Sequence, residues 1–114
     1  MMSSEAMEQE GFVVWFHHTH PDVLIYHCPN GEYRSPSVAM RLKKQGVVPG
    51  IPDLFIPAWK LYIEMKKENG GVVSKEQTKV MDYLARVGYA VIIGNGATDA
   101  SVKVLEFVRC KKVN

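Results

Sequence analysis

The stretch from Asp53 to Lys66 constrains the fold more tightly than any other part of the chain. Asp53 to Ile56 and Leu61 to Lys66 are two short β-like runs separated by Pro57-Ala58-Trp59-Lys60, a four-residue connection of hairpin length. If Ile56 and Leu61 flank the loop, Asp53 lies directly opposite Glu64, with Cβ atoms about 5 Å apart. Side chains alternate along a strand. Leu54, Ile56, Leu61, Ile63 and Met65 then share one wholly aliphatic face. The other face carries Phe55 and Tyr62 beside two carboxylates and the Lys66 amine.

The punctuation around this hairpin predicts the remaining elements. Ser3 or Ser4 caps a helix running to about His17, on which Glu5 and Gln9 continue the stripe of Phe12 and Phe16. Val23 to Cys28 reads as a strand and Pro29-Asn30-Gly31-Glu32 as a turn. Ser35-Pro36 opens a second helix that Gly46 stops, and Val47 to Pro52 is connection. Ser74 and Gln77 are spaced as a capping box for a helix to about Val87, with Gly88 just beyond it. Tyr89 to Ile93 reads as a buried strand, Gly94-Asn95-Gly96 as a turn, and Thr98 or Asp99 as the start of a last helix ending near Cys110. The order α β α β β α β α predicts an α/β fold, a mixed sheet flanked by helices, in a single domain over residues 1–114.

Composition removes several function classes. The formal charge of +2 does not by itself announce a nucleic-acid binder, so a phosphate partner must be met by local clusters of Lys and Arg. Two distant cysteines, Cys28 and Cys110, provide neither a zinc ribbon nor a disulfide framework and predict reduced thiols in a cytoplasmic protein. The apolar run Phe12 to Phe16 is far too short for a membrane span or signal peptide. No Gly-rich phosphate loop is present, so no nucleotide cofactor is expected.

Two carboxylates side by side on a rigid sheet repel each other, and a shared proton or a bound cation resolves the conflict. Oxygen ligands with a neighbouring backbone carbonyl suit Mg²⁺ or Mn²⁺. A lysine two residues from a metal-binding Glu can polarise a water or stabilise charge on a phosphorus centre. Phosphodiester hydrolysis fits these parts, although an exposed hairpin face with an ordinary Glu–Lys pair fits the bare pattern as well.

Further motifs agree with the first reading. Gly50-Ile51-Pro52-Asp53-Leu54-Phe55, Ile63-Glu64-Met65-Lys66 and Ser74-Lys75-Glu76-Gln77 resemble the VRR-NUC (virus-type replication-repair nuclease) domain of the PD-(D/E)xK superfamily. The upstream pieces at 4–9, 29–32 and 41–46 also match, so the resemblance spans Ser4 to about Ile93 in the family's order. It implies a restriction-endonuclease-like core and a Mg²⁺- or Mn²⁺-dependent endonuclease. Asp53 and Glu64 would be metal ligands with the Met65 carbonyl, Glu5 would complete the metal site, Lys66 would be the catalytic lysine, and Gln77 the helix glutamine near it. At this length the resemblance is to stand-alone, phage-type or bacterial members, which implies a homodimer that cuts branched DNA such as four-way (Holliday) junctions. A module of the same fold that clamps branched DNA without cutting it is the alternative.

His17 and His20 could meet on one helical turn, but no cysteine or carboxylate set completes a zinc site with them or with His18 and His27. Arg34, Arg41, Lys43, Lys44, Lys75 and Lys79 lie on elements beside the proposed site and can track a phosphate backbone. Recognition through backbone and shape, rather than base reading, follows from that set.

Overall fold

The structure, a computed structural model, describes residues 4–31, 35–69 and 71–113. Its elements follow in the order α1 (Glu5–Thr19), β1 (Tyr26–His27), α2 (Pro36–Lys44), β2 (Leu54–Ile56), a 3-10 turn (Pro57–Trp59), β3 (Leu61–Lys66), α3 (Lys75–Arg86), β4 (Ala90–Asn95) and α4 (Ala97–Val113). The four strands form one mixed sheet in the order β1-β2-β3-β4. The first two pairings are antiparallel and β3 runs parallel to β4. The α/β architecture and the element order expected from the sequence are both present.

The hairpin register is the expected one: Leu54 pairs with Ile63, Phe55 with Tyr62 and Ile56 with Leu61. Lys60 takes a left-handed conformation at the end of the connection, and its N–H donates to the Pro57 carbonyl at 3.1 Å. Alternation then sorts the two faces. Leu54, Ile56, Leu61, Ile63 and Met65 are buried against Phe12 and Phe16 of α1 and Ala100 and Val104 of α4, which together form the core. The other face carries a ring cluster in which Phe55 stacks on Tyr62 at 4.2 Å, with Tyr26 and Tyr89 against them. Helix α3 lies on this second side, since Gln77 reaches Glu64 and Lys66 there.

Several boundaries differ from the sequence reading. The strand expected over Val23 to Cys28 shrinks to Tyr26–His27, because the Val23 N–H turns back to the His20 carbonyl and β2 offers only three residues to pair with. Helix α1 continues two residues beyond His17, and its cap is Ser4, whose hydroxyl accepts from the Met7 N–H. The expected turn Gly94-Asn95-Gly96 is mostly strand, for Gly94 and Asn95 pair with Met65 and Lys66 and only Gly96 turns the chain. Glycine is needed at 94 because a Cβ there would stand 2.5 Å from the Ala100 Cβ of α4. Helix α4 starts early, at Ala97, because the Glu8 carboxylate of α1 accepts the Ala97 N–H at 2.7 Å and caps the helix from outside. The turn at 29–32 and Arg34 extend into residues outside those described.

The close approach at Gly94 gives a stability prediction. Gly94→Ala overfills the β4–α4 contact and is expected to cost about 1–3 kcal/mol. That corresponds to a melting point roughly 5–15 °C lower by thermal unfolding.

Candidate metal centre

The mouth of the hairpin gathers the polar residues the sequence singled out. Asp53 precedes β2, and its backbone carbonyl accepts the Cys28 N–H at 2.7 Å, which ties the edge of β1 to it. Its side chain is 4% exposed. One carboxylate oxygen accepts the Met65 N–H at 2.8 Å and the other accepts the Asn30 amide at 3.1 Å. Glu64, on β3, is fully buried. Glu5 arrives from the first turn of α1, half-buried. One oxygen from each of Glu5, Asp53 and Glu64 lies within 4.8 Å of the others.

Gln77 organises the other half of the site. Its Oε1 accepts the Ser74 N–H at 2.9 Å, and the Ser74 hydroxyl accepts the Gln77 N–H at 3.1 Å, so the expected capping box is formed. The same Oε1 accepts the Lys66 ammonium at 2.8 Å, while Nε2 donates to Glu64 Oε2 at 3.0 Å. Lys66 lies 3.4 Å from Glu64 Oε2 as well. One side chain thus starts α3 and holds a buried lysine and a buried glutamate in fixed relation. The chain after β3 folds back over the Lys66 stem at Gly71, where a Cβ would stand 2.7 Å from the Lys66 Cβ.

Three carboxylates, two of them buried and Glu5 half-buried, share one ammonium in this cluster, an excess of negative charge. Burial pushes the Asp53 carboxyl above the ordinary aspartate range, against the lowering effects of the Met65 N–H, a hydrogen bond shared with Glu64, and the charges of His27 and Lys66. The Cys28 thiol is likewise pushed up by burial and by the neighbouring Asp53 charge. A site in this condition gains from a cation.

The structure brings together Glu5, Asp53, Glu64, the Met65 backbone, Lys66 and Gln77. It adds two residues that sequence reasoning passed over. Asn30, read only as part of a turn, holds Asp53 through its amide. His27, named only among the histidines that complete no zinc site, stands close enough to act electrostatically on Asp53. Both signals are tertiary, and neither has a spacing pattern. Among the described residues no histidine belongs to a metal-holding group. His20 instead packs its ring against Phe16 and Trp59. Arg41, Lys43, Lys44, Lys75 and Lys79 are exposed on α2 and α3.

The VRR-NUC domain family matches residues 3–98, which includes every residue of this cluster. The chain belongs to the VRR-NUC family. A solved structure titled VRR_NUC domain protein superposes with a TM-score of 0.77 over 96% of this chain and 91% of that one, at 24% identity, which shows a common fold. No curated protein matches the chain. Membership of this nuclease family implies a phosphodiesterase and a DNA-binding surface. Among the described residues no helix is long and apolar enough to cross a membrane.

Proposed function

We propose that this VRR-NUC domain is a Mg²⁺- or Mn²⁺-dependent endonuclease that hydrolyses phosphodiester bonds in branched DNA, such as four-way junctions, and acts as a homodimer. The observation that carries the reading is the convergence of oxygens from Glu5, Asp53 and Glu64 within 4.8 Å of one another beside a buried lysine. The donor set fits a hard divalent ion, being all oxygen and carrying more negative charge than Lys66 balances. Glu5, Asp53 and Glu64 would hold the ion together with the Met65 carbonyl. When bound, it supplies Lewis-acid stabilisation of charge building on the phosphoryl group.

The chain's own groups do the remaining work. The Met65 N–H and Asn30 amide fix the Asp53 carboxylate in one orientation. Gln77 is a positioning residue, since it grips Glu64 with one end and Lys66 with the other. An ammonium has three N–H donors, and the contacts with Gln77 and Glu64 account for two. The third would be offered to an attacking water or a phosphoryl oxygen. The exposed cations of α2 and α3 would meet flanking phosphates, which makes binding steeply salt-dependent and insensitive to sequence. A homodimer with two-fold symmetry would present two such centres to the two strands of a junction.

The test is cleavage mapping on a synthetic four-way junction, a flap and a linear duplex, with solution mass measured at micromolar protein. Junction products that require Mg²⁺ or Mn²⁺ and vanish with EDTA are expected. Binding with no metal-dependent product would point instead to a non-cleaving clamp.

The raised Asp53 pKa has a stability consequence. In the metal-free protein, between the ordinary aspartate value of 3.8 and the raised folded value, the folded state keeps a proton that the unfolded chain has lost. Stability therefore falls as pH rises through that window. Adding Mg²⁺ at a hundredfold excess over its Kd should restore about 2.7 kcal/mol at neutral pH, roughly 10 °C in melting temperature. Thermal melts of EDTA-treated and Mg²⁺-loaded protein across pH would read both effects.

A further inference from the structure

A cleft of about 710 Å³ opens between the first turns of α1, the 27–31 segment and the end of α2, with Glu5 and Asp53 in its wall. A volume of this order holds a ligand of nucleotide size or larger, and a DNA strand whose phosphate reaches those carboxylates must pass through or across it. Among the described residues lining it there is no lysine or arginine. The Asn30 amide donates to Asp53 and the Gln9 amide to His27, while the Ser4 hydroxyl accepts the Met7 N–H.

We propose that His27 is a substrate-contacting residue of this nuclease, its Nε2–H donating to a phosphate oxygen of the DNA strand lying in the cleft. The proposal rests on the nuclease reading of the neighbouring carboxylate cluster. The Gln9 amide nitrogen meets His27 Nδ1 at 3.4 Å, and because an amide NH₂ can only donate, Nδ1 accepts. Nε2, the nitrogen not held by Gln9, therefore carries a proton to donate. The imidazole is exposed in the cleft wall. Its backbone pairs with Leu54, the residue after Asp53, and the Gln9 amide holds one nitrogen of the ring, so His27 is mounted beside the carboxylates. A strand paired into the sheet is a firmer mount for a substrate contact than a free loop. Gln9, on the α1 face that also presents Glu5, is the positioning residue that sets the tautomer.

The experiment compares wild type, His27→Ala and His27→Gln on a four-way junction. Steady-state cleavage is measured in Mg²⁺, and binding is measured by fluorescence anisotropy in Ca²⁺. The alanine variant should raise KM and Kd roughly 10- to 100-fold, the range for a hydrogen bond to a charged group, with a smaller change in kcat and an unchanged melting temperature. The glutamine variant, which keeps an N–H donor, should recover a large part of the affinity. KM and Kd within twofold of wild type for the alanine variant would overturn the proposal, as would equal losses in both variants. Failure of the wild type to cut would overturn the nuclease reading separately, and the anisotropy series would still decide the role of His27.

Discussion

Asp53→Asn is expected to yield a folded protein whose metal-dependent cleavage is lower by roughly 10²–10³-fold or more, the scale on which removing one preorganised charge-stabilising group acts. The substitution is nearly isosteric. Its amide oxygen can still accept the Met65 N–H, and Asn30 can turn its own amide to present oxygen to the new NH₂ group. What disappears is one of three negative charges crowded within a few ångströms. Binding of a divalent ion falls, yet the metal-free fold gains, because burial already opposes the Asp53 charge. The expected pair of results is lost cutting with an equal or higher melting temperature in EDTA. Junction digestion beside thermal melts checks both, and an Asp53→Asn protein that still cuts at the wild-type rate would remove Asp53 from the chemistry.

Gly50→Ala is the largest expected effect from a residue outside the cluster. Gly50 has φ of +87°, and a Cβ there would stand 2.6 and 2.7 Å from the carbonyl carbon and oxygen of Glu76 and 2.9 Å from the Gln77 nitrogen. All three atoms are backbone, in the first turn of α3, so no side chain can swing aside. The left-handed conformation costs a non-glycine residue about 1–3 kcal/mol, and the overfilled contact adds about 1–3 kcal/mol. Against a total stability on the order of 5–15 kcal/mol the loss is serious, and the melting point should fall by 10 °C or more. The disturbance also passes to the site. Moving the start of α3 moves Gln77, which holds Glu64 and Lys66. Urea unfolding and cleavage rates measured on one preparation should fall together. A stable Gly50→Ala protein would show that α3 can retreat without cost.

The hairpin was legible because its information is local. Period-two alternation and a four-residue connection are enough to predict the register that pairs Leu54 with Ile63 and brings the Asp53 and Glu64 carboxylates together. Glu5 and Gln77 were legible for a similar reason, each lying on the inward stripe of a helix with a capping serine beside it. Other features depend on partners distant in sequence. Ala97 begins α4 because Glu8, on another helix, takes its N–H. Gly94 remains in a strand because Ala100 leaves no room for a Cβ. Val23 to Ile25 are as apolar as a buried strand, but the Val23 N–H turns back to the His20 carbonyl and pairing with β2 covers only Tyr26 and His27, so β1 is short. Asn30 and His27 belong to the same class, since what matters about them is their distance from Asp53. The rings of Tyr26, Phe55, Tyr62 and Tyr89 also meet only once four separate segments assemble.

The link formed by Pro57 to Lys60 is a counting device. Because a strand presents its residues left and right by turns, one codon gained or lost ahead of Leu61 would exchange the sides of β3. Glu64 and Lys66 would be driven into the oily layer under α1 and α4, while Ile63 and Met65 turned to the side that holds Gln77. Descendants of this gene can respell those four positions far more freely than they can change how many there are.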